Sequence, residues 1–211
     1  MALAEIAYPG LHDRLYELLP RPFGSRKAID LGCGTGALAR RLAAAGWYVE
    51  TADCDSTKFE AALRFHCVDL NRPIPDNAAL GQFDLVTAVE VIEHLENPIQ
   101  LLRTIRVLLR DDGLGVVTTP SMDGFHARAR FLLKGKLRSM DEWGDPTHIS
   151  PIFEGLLPRL TQRAGLTLER TQRFQSKNRR VLWQVIDRLD PKAAECLILF
   201  LRKGAAPPGP S

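Results

Sequence analysis

Apolar positions along this chain recur in two alternating rhythms. Leu11, Leu15, Leu18 and Leu19 fall at helical spacing, and Pro20 and Pro22 close that segment. Lys27 to Leu31 is a short apolar run, the first strand. Gly36 to Ala45 returns to helical spacing, with Leu38, Leu42 and Ala45 on one face and Gly46 as its stop. Tyr48 to Cys54 and Arg64 to Val68 read as the second and third strands. Asp53 lies near the end of one and Asp69 just after the other. Phe83 to Val89 is apolar except for Asp84 and Thr87, the pattern of a central parallel strand. Asn97 and Pro98 cap and begin a helix to Arg110, with Leu101, Leu102, Ile105, Leu108 and Leu109 as its buried stripe and Gly113 as its stop. Gly115 to Thr119 is the fifth strand, closed by Pro120.

Up to that point strand and helix mostly alternate, which predicts an α/β fold on a parallel sheet. After Pro120 the rhythm breaks. Residues 121–147 read as an insertion carrying Phe125, Phe131 and Trp143. Ser150 and Pro151 then begin a helix to Ala164, which Pro158 is expected to kink or divide. Leu166 to Phe174 and Ala194 to Arg202 read as the last strands, with a helix over Val181 to Leu189 between them. Residues 1–203 are therefore expected to form one domain with an insertion at 121–147. The small, proline-rich residues 204–211 are expected to be a disordered tail.

Composition narrows the picture only a little. A chain of 211 residues, 45% apolar and 25% charged, can build one full core. A net charge of +3 does not by itself announce nucleic-acid binding. The four cysteines, Cys33, Cys54, Cys67 and Cys196, contain no C-x-x-C pair, which suits a reducing, cytoplasmic setting and offers no zinc site. No signal peptide is evident at the N-terminus, and the longest purely apolar run, Cys196 to Leu201, is far too short to span a membrane.

The chemistry starts at Ala28 to Gly36, A-I-D-L-G-C-G-T-G. Three glycines at every second position follow a strand and open a helix. Glycine permits backbone angles closed to other residues and lets a ligand approach the main chain. The spacing is neither G-x-G-x-x-G nor a Walker loop with its lysine. It resembles motif I of class I S-adenosylmethionine-dependent methyltransferases, with Asp30, Gly32, Gly34 and Gly36 in place. Phe83 to Pro98, F-D-L-V-T-A-V-E-V-I-E-H-L-E-N-P, resembles the fourth-strand motif of the families that include ubiquinone-biosynthesis O-methyltransferases and bacterial glycan and small-molecule methyltransferases. L-R-D-D-G-L-G-V-V-T-T-P adds the strand after the helix, so the resemblance runs over roughly residues 10–175. It implies a Rossmann-like seven-stranded sheet in the order 3-2-1-4-5-7-6 with strand 7 antiparallel. It also implies methyl transfer from S-adenosylmethionine.

Under that resemblance the cofactor side comprises Asp30, Gly32, Cys33, Gly34 and Gly36 of the loop, then Asp53 and Cys54, then Asp69 and Leu70, and Glu90. Asp53, at the end of the second strand, can accept from both ribose hydroxyls, with Asp55 a weaker candidate. Asp69 is placed for the adenine amino group, with Val68 and Leu70 near the ring; otherwise it is a solvated strand-end acid. His12 and Tyr8 precede the first strand, where relatives fold a helix over the cofactor.

Glu90, Glu93 and His94 form E-x-x-E-H, and one helical turn would put all three on one face. Three readings stay open. His94 is a general base; or two carboxylates and an imidazole hold a divalent ion, as in small-RNA 2'-O-methyltransferases and as proposed for the ubiquinone relatives; or Glu90 touches the cofactor and His94 packs. His148, in D-P-T-H-I-S-P, completes a metal site with Glu93 and His94 of that group, acts as the base itself, or is a structural residue at a helix entry. Arg128, Arg130, Lys134, Lys136 and Arg138 make the insertion basic, either as a solvated face or as a surface for an anionic acceptor.

The expected function is O-methylation of a small molecule or saccharide. The alternatives are a metal-assisted RNA 2'-O-methyltransferase, for which no RNA-binding module is visible, and a non-catalytic methyltransferase-like subunit, against which the intact glycines and Asp53 weigh. The sequence leaves the acceptor, the oligomeric state and the choice among O-, N- and C-methylation open. The insertion is expected over the acceptor side, with His94 and His148 facing one another.

Overall fold

The computed structural model describes residues 3–74, 81–142, 144–176 and 190–204. The expected helix at 181–189, Trp143 and the expected tail beyond residue 204 lie outside them. The elements run α1 (Leu11–Leu18), β1 (Lys27–Leu31), α2 (Ala37–Ala44), β2 (Tyr48–Asp53), β3 (Arg64–Cys67), β4 (Phe83–Ala88), α3 (Pro98–Leu108), β5 (Leu109–Pro120), α4 (Phe125–Lys134), α5 (Leu157–Arg163), β6 (Leu166–Phe174) and β7 (Cys196–Lys203).

The strands form one sheet in the order β3-β2-β1-β4-β5-β7-β6. β1 to β5 pair in parallel, and β7 runs antiparallel to both β5 and β6. The order and direction are those expected.

Alternation within β7 shows how both faces are buried. Leu197, Leu199 and Leu201 join Ile29, Leu31, Leu101 and Ile105 in one apolar cluster, on the side of α3 and α5. Cys196, Ile198 and Phe200 join Leu11, Leu15, Leu38 and Leu42 in the other, on the side of α1 and α2. A sheet covered on both faces needs apolar residues at consecutive positions, which is why β4 and β7 read as unbroken apolar runs.

Two boundaries differ from the sequence reading by more than two residues. Gly113 does not stop α3; the helix ends at Leu108 and β5 begins at Leu109. The β4–β5 register shifts between Phe83 and Leu85, and a Cβ on Gly113 would lie 2.9 Å from the Phe83 carbonyl oxygen. Gly113 thus serves close backbone approach inside an irregular strand. The helix expected from Ser150 starts only at Leu157, after a 3₁₀ turn at Glu154–Leu156. Pro158 sits in its first turn, where a missing N–H costs nothing.

Candidate functional site

The site begins where β1 turns into α2. Gly32, Gly34 and Gly36 all have left-handed backbone angles, φ 67°, 51° and 82°. The Gly32 amide donates to the Ala52 carbonyl at 2.7 Å, and the Gly34 amide donates to Asp53 Oδ2 at 2.9 Å. Asp53 Oδ1 also accepts from the Asp55 amide at 3.1 Å. β2 therefore fixes the shape of the loop. Asp30 is buried beneath it and accepts from the Thr87 hydroxyl at 2.6 Å. Burial pushes the Asp30 carboxyl up to about 7, against the Thr87 hydrogen bond. Burial likewise pushes the Cys33 thiol up to about 12, which leaves it an inert packing group.

The chain before α1 closes over this loop. Ile6 packs above Gly34, and the Thr35 hydroxyl donates to the Ala4 carbonyl at 2.7 Å. Arg41 of α2 pairs with both Glu5 and Asp13. A cavity of about 380 Å³ lies underneath. Asp30, Gly32, Cys33 and Gly34 line one side, Tyr8 and His12 the cover, and Glu90, His94, Asp145 and His148 the far end. Burial lowers the His12 imidazole and raises the Tyr8 phenol, so both are uncharged near neutrality.

Not every expected residue joins this cavity. Gly36, Asp53, Cys54, Asp69 and Leu70 lie outside its lining. Gly36 and Asp53 act on it through the loop they shape. Leu70 is buried in the core, and Asp69 accepts from the Asn71 amide and pairs with Arg72.

The E-x-x-E-H segment departs from the expected single face. Glu90 takes a left-handed φ of 55°, and only Ile92–His94 form a 3₁₀ turn. Glu90 turns to the cavity, where the Thr118 hydroxyl (3.1 Å) and the Cys196 thiol (3.2 Å) donate to its Oε1. Burial raises its carboxyl to about 7. Glu93 is outside that cavity's lining and wholly buried, and neither carboxyl oxygen has a hydrogen-bond partner. Burial, with Glu90 adding, pushes its carboxyl well above the usual range. Thr118 and Cys196 are partners the sequence reading missed; only the strand order brings β5 and β7 against Glu90.

The insertion returns to this point. The Ile149 and Ser150 amides both donate to the Glu93 carbonyl at 2.9 Å, and the Ser150 hydroxyl donates to the Leu95 carbonyl at 2.6 Å. That docking brings His148 against His94, with ring centroids 4.6 Å apart and planes at 69°. His148 Nδ1 lies 2.9 Å from the Ser139 carbonyl, which can only accept, so Nδ1 carries the proton. His94 Nδ1 lies 2.8 Å from the Thr147 hydroxyl, which itself donates to Asp145. His94 therefore also donates through Nδ1. Each ring is left with its Nε2 lone pair, the arrangement that orients histidines for proton uptake or metal ligation. Burial and His148 lower the His94 imidazole, keeping that lone pair open near neutrality. Glu93, His94 and His148 present ligand atoms all within 4.8 Å of one another. A buried carboxylate without a partner beside two lone-pair nitrogens fits a divalent cation.

The basic side chains of the insertion are largely matched. Arg128 pairs with Asp190, Arg130 with Asp141 and Lys136 with Glu142, while Arg138 donates to the Ala194 carbonyl.

A family profile described as a methyltransferase domain matches residues 3–171, and the chain belongs to that family. It is 36% identical over 108 residues to the ubiquinone biosynthesis O-methyltransferase of Cereibacter sphaeroides, covering 47% of this chain and 43% of the relative. It is 32% identical over 97 residues to the enzyme of that name in Vibrio campbellii, covering 42% and 41%. The chain thus matches less than half the length of these curated relatives. Among solved structures, a putative methyltransferase from Bacillus halodurans superposes with a TM-score of 0.68 at 15% identity, over 92% of this chain and 99% of that one. An S-adenosylmethionine-dependent methyltransferase from Mesorhizobium loti gives 0.61 at 19% identity, over 90% and 96%. These likenesses show the fold. No helix among the described residues is long and apolar enough to cross a membrane.

Proposed function

We propose that this member of the methyltransferase family carries out S-adenosylmethionine-dependent O-methylation of a small hydroxylated molecule or saccharide. The observation that carries the reading is the single cavity joining the left-handed glycine loop to the paired imidazoles of His94 and His148. The loop fits the cofactor: a side chain at Gly34 would intrude between the loop and Ile6 of the cover, and Asp53, tied to the Gly34 amide, holds a carboxylate at the loop for ribose hydroxyls. Bound there, S-adenosylmethionine supplies a methyl group on a positively charged sulfur, and transfer leaves a neutral thioether.

The protein's part is orientation, exclusion of water and removal of a proton. Ile6, Tyr8 and His12 cover the loop and shut out solvent. As the acceptor oxygen forms its bond to carbon, its hydroxyl proton must leave, and the Nε2 atoms of His94 and His148 are the groups available to take it. Glu90, held by Thr118 and Cys196, presents a carboxyl group to the same cavity that His94 and His148 line.

A second reading of the same site rests on Glu93. Its unpartnered carboxylate, with His94 and His148, would hold a divalent ion that acidifies the acceptor hydroxyl. The matched charges of the insertion weigh against an RNA acceptor, and the intact loop weighs against a non-catalytic subunit. The test is formation of S-adenosylhomocysteine in the presence of hydroxylated acceptors. A His94→Ala, His148→Ala double variant should retain cofactor binding and lose turnover; undiminished turnover refutes the assignment.

A further inference from the structure

We propose that the acceptor subsite takes a neutral, hydroxyl-rich ligand, a sugar or simple glycoside, held by Arg130, Asp141 and Tyr8. This rests on the methyl-transfer reading above. A second cavity of about 370 Å³ adjoins the cofactor cavity, and Tyr8, Asp145 and His148 line both. The same histidine that meets His94 therefore opens onto this space. Its remaining side chains are Arg130, Arg138, Ser139 and Asp141, with Gly144, so among the described residues every lining side chain carries a polar group.

Charge decides among ligand classes. Arg130 and Arg138 are opposed by Asp141 and Asp145, so the subsite has no net excess of either sign. A polyanion would meet two carboxylates as well as two guanidinium groups. An apolar tail would strip water from all four ions and return no hydrogen bonds. Vicinal hydroxyls satisfy both kinds of partner, accepting from guanidinium and donating to carboxylate. Arg130 points to such a ligand directly: its Nε is buried and has no acceptor, although its terminal nitrogen pairs with Asp141. The Tyr8 ring supplies a flat apolar surface on which sugar C–H faces pack, and its phenol is a further hydrogen-bonding partner for sugar hydroxyls.

A prenylated phenol would have to go elsewhere. An apolar groove of about 310 Å³ lies between Met122, Phe131, Leu132, Leu137 and Phe153. It touches the second cavity only at Arg138 and shares no residue with the cofactor cavity.

The experiment uses the full chain. Calorimetry first measures binding of S-adenosylhomocysteine. Its release from S-adenosylmethionine is then followed with methyl hexosides and disaccharides, with catechol, with a farnesylated phenol and with a polyphosphorylated inositol as separate acceptors. The glycosides are expected to be the methylated group. Arg130→Gln should raise the acceptor KM on the order of tenfold or more, as loss of a charged hydrogen bond does, with S-adenosylhomocysteine affinity unchanged. Because Arg130→Gln also breaks the pair with Asp141, Tyr8→Phe serves as a second variant, expected to raise the same KM at an unchanged unfolding midpoint. If S-adenosylhomocysteine binds but catechol, the farnesylated phenol or the inositol phosphate is methylated in preference, or no glycoside is, the subsite assignment is overturned while methyl transfer stands. If S-adenosylhomocysteine does not bind, the methyl-transfer reading falls and takes this one with it.

Discussion

Replacing Gly32 with alanine should destabilise the fold more than the same change at Gly34. Gly32 has φ 67°, and an alanine held there costs roughly 1–2 kcal/mol in backbone strain. Its new Cβ would also overlap Val91 Cγ2, with Cγ1 at 3.1 Å and Cβ at 3.4 Å behind it. Rotating Val91 offers no escape, because one methyl replaces the other and a β-branched side chain is stiff at χ1. Val91 is buried, so relief would have to come from the core, at a further ~1–3 kcal/mol. The loop cannot simply shift either, since the Gly32 amide is bonded to Ala52 in the neighbouring strand. The total is about 2–5 kcal/mol. At Gly34, φ is 51° and the nearest atom is Ile6 Cδ1 at 3.2 Å, on the covering segment. There the strain cost remains, at roughly 1–2 kcal/mol, but Ile6 can move aside. Gly34→Ala should therefore lose cofactor retention more than stability. Urea unfolding at constant m-value, beside calorimetry with S-adenosylhomocysteine, measures both. A Gly32→Ala cost under about 1 kcal/mol, or a larger cost at Gly34, would refute the packing argument.

Three further outcomes follow from the same geometry. Asp53→Ala removes the acceptor of the Gly34 and Asp55 amides and should weaken S-adenosylhomocysteine by about 1.5–3 kcal/mol in calorimetry; unchanged affinity would remove Asp53 from the ribose site. Asp30 is raised by burial to about 7, with Asp53 adding and Thr87 opposing, so the folded state holds a proton that the unfolded chain releases near pH 4. Stability contributed by protonated Asp30 is then full below about pH 4 and is lost as pH rises toward 7. Asp30→Asn should flatten that decline in pH-dependent unfolding, and an unchanged slope would contradict it. If Glu93, His94 and His148 hold a divalent ion, exhaustive chelation should lower turnover without lowering S-adenosylhomocysteine affinity, and adding the ion back should restore it. Turnover that survives chelation would leave the two imidazoles acting as bases alone.

Much of the scaffold was legible because its signals are local. Asp30 to Gly36 announces a strand, a left-handed loop and a helix start, since only glycine takes those angles cheaply. β1, β4 and β6 fall where their apolar runs or bounding residues place them, to within a residue. Boundaries were lost where a distant partner decides them. Gly113 looks like a helix stop until the Phe83 carbonyl is placed beside it, and Ser150 looks like a helix cap until its amide is seen bonded to Glu93. The E-x-x-E-H spacing named the reactive side chains but not their directions. The positive φ of Glu90 sends it to the cavity, and the 3₁₀ turn sends Glu93 into the interior. Sequence alone thus determined the individual strands, the loop and the residue types of the site, because backbone preference and apolar period act over a few residues; the order of the strands came only as an implication of the family resemblance. Which groups meet was decided by tertiary structure: the pairing of His94 with His148, the Thr118 and Cys196 bonds to Glu90, and the unsatisfied carboxylate of Glu93 depend on strand order and on an insertion that leaves the sheet and docks back onto it.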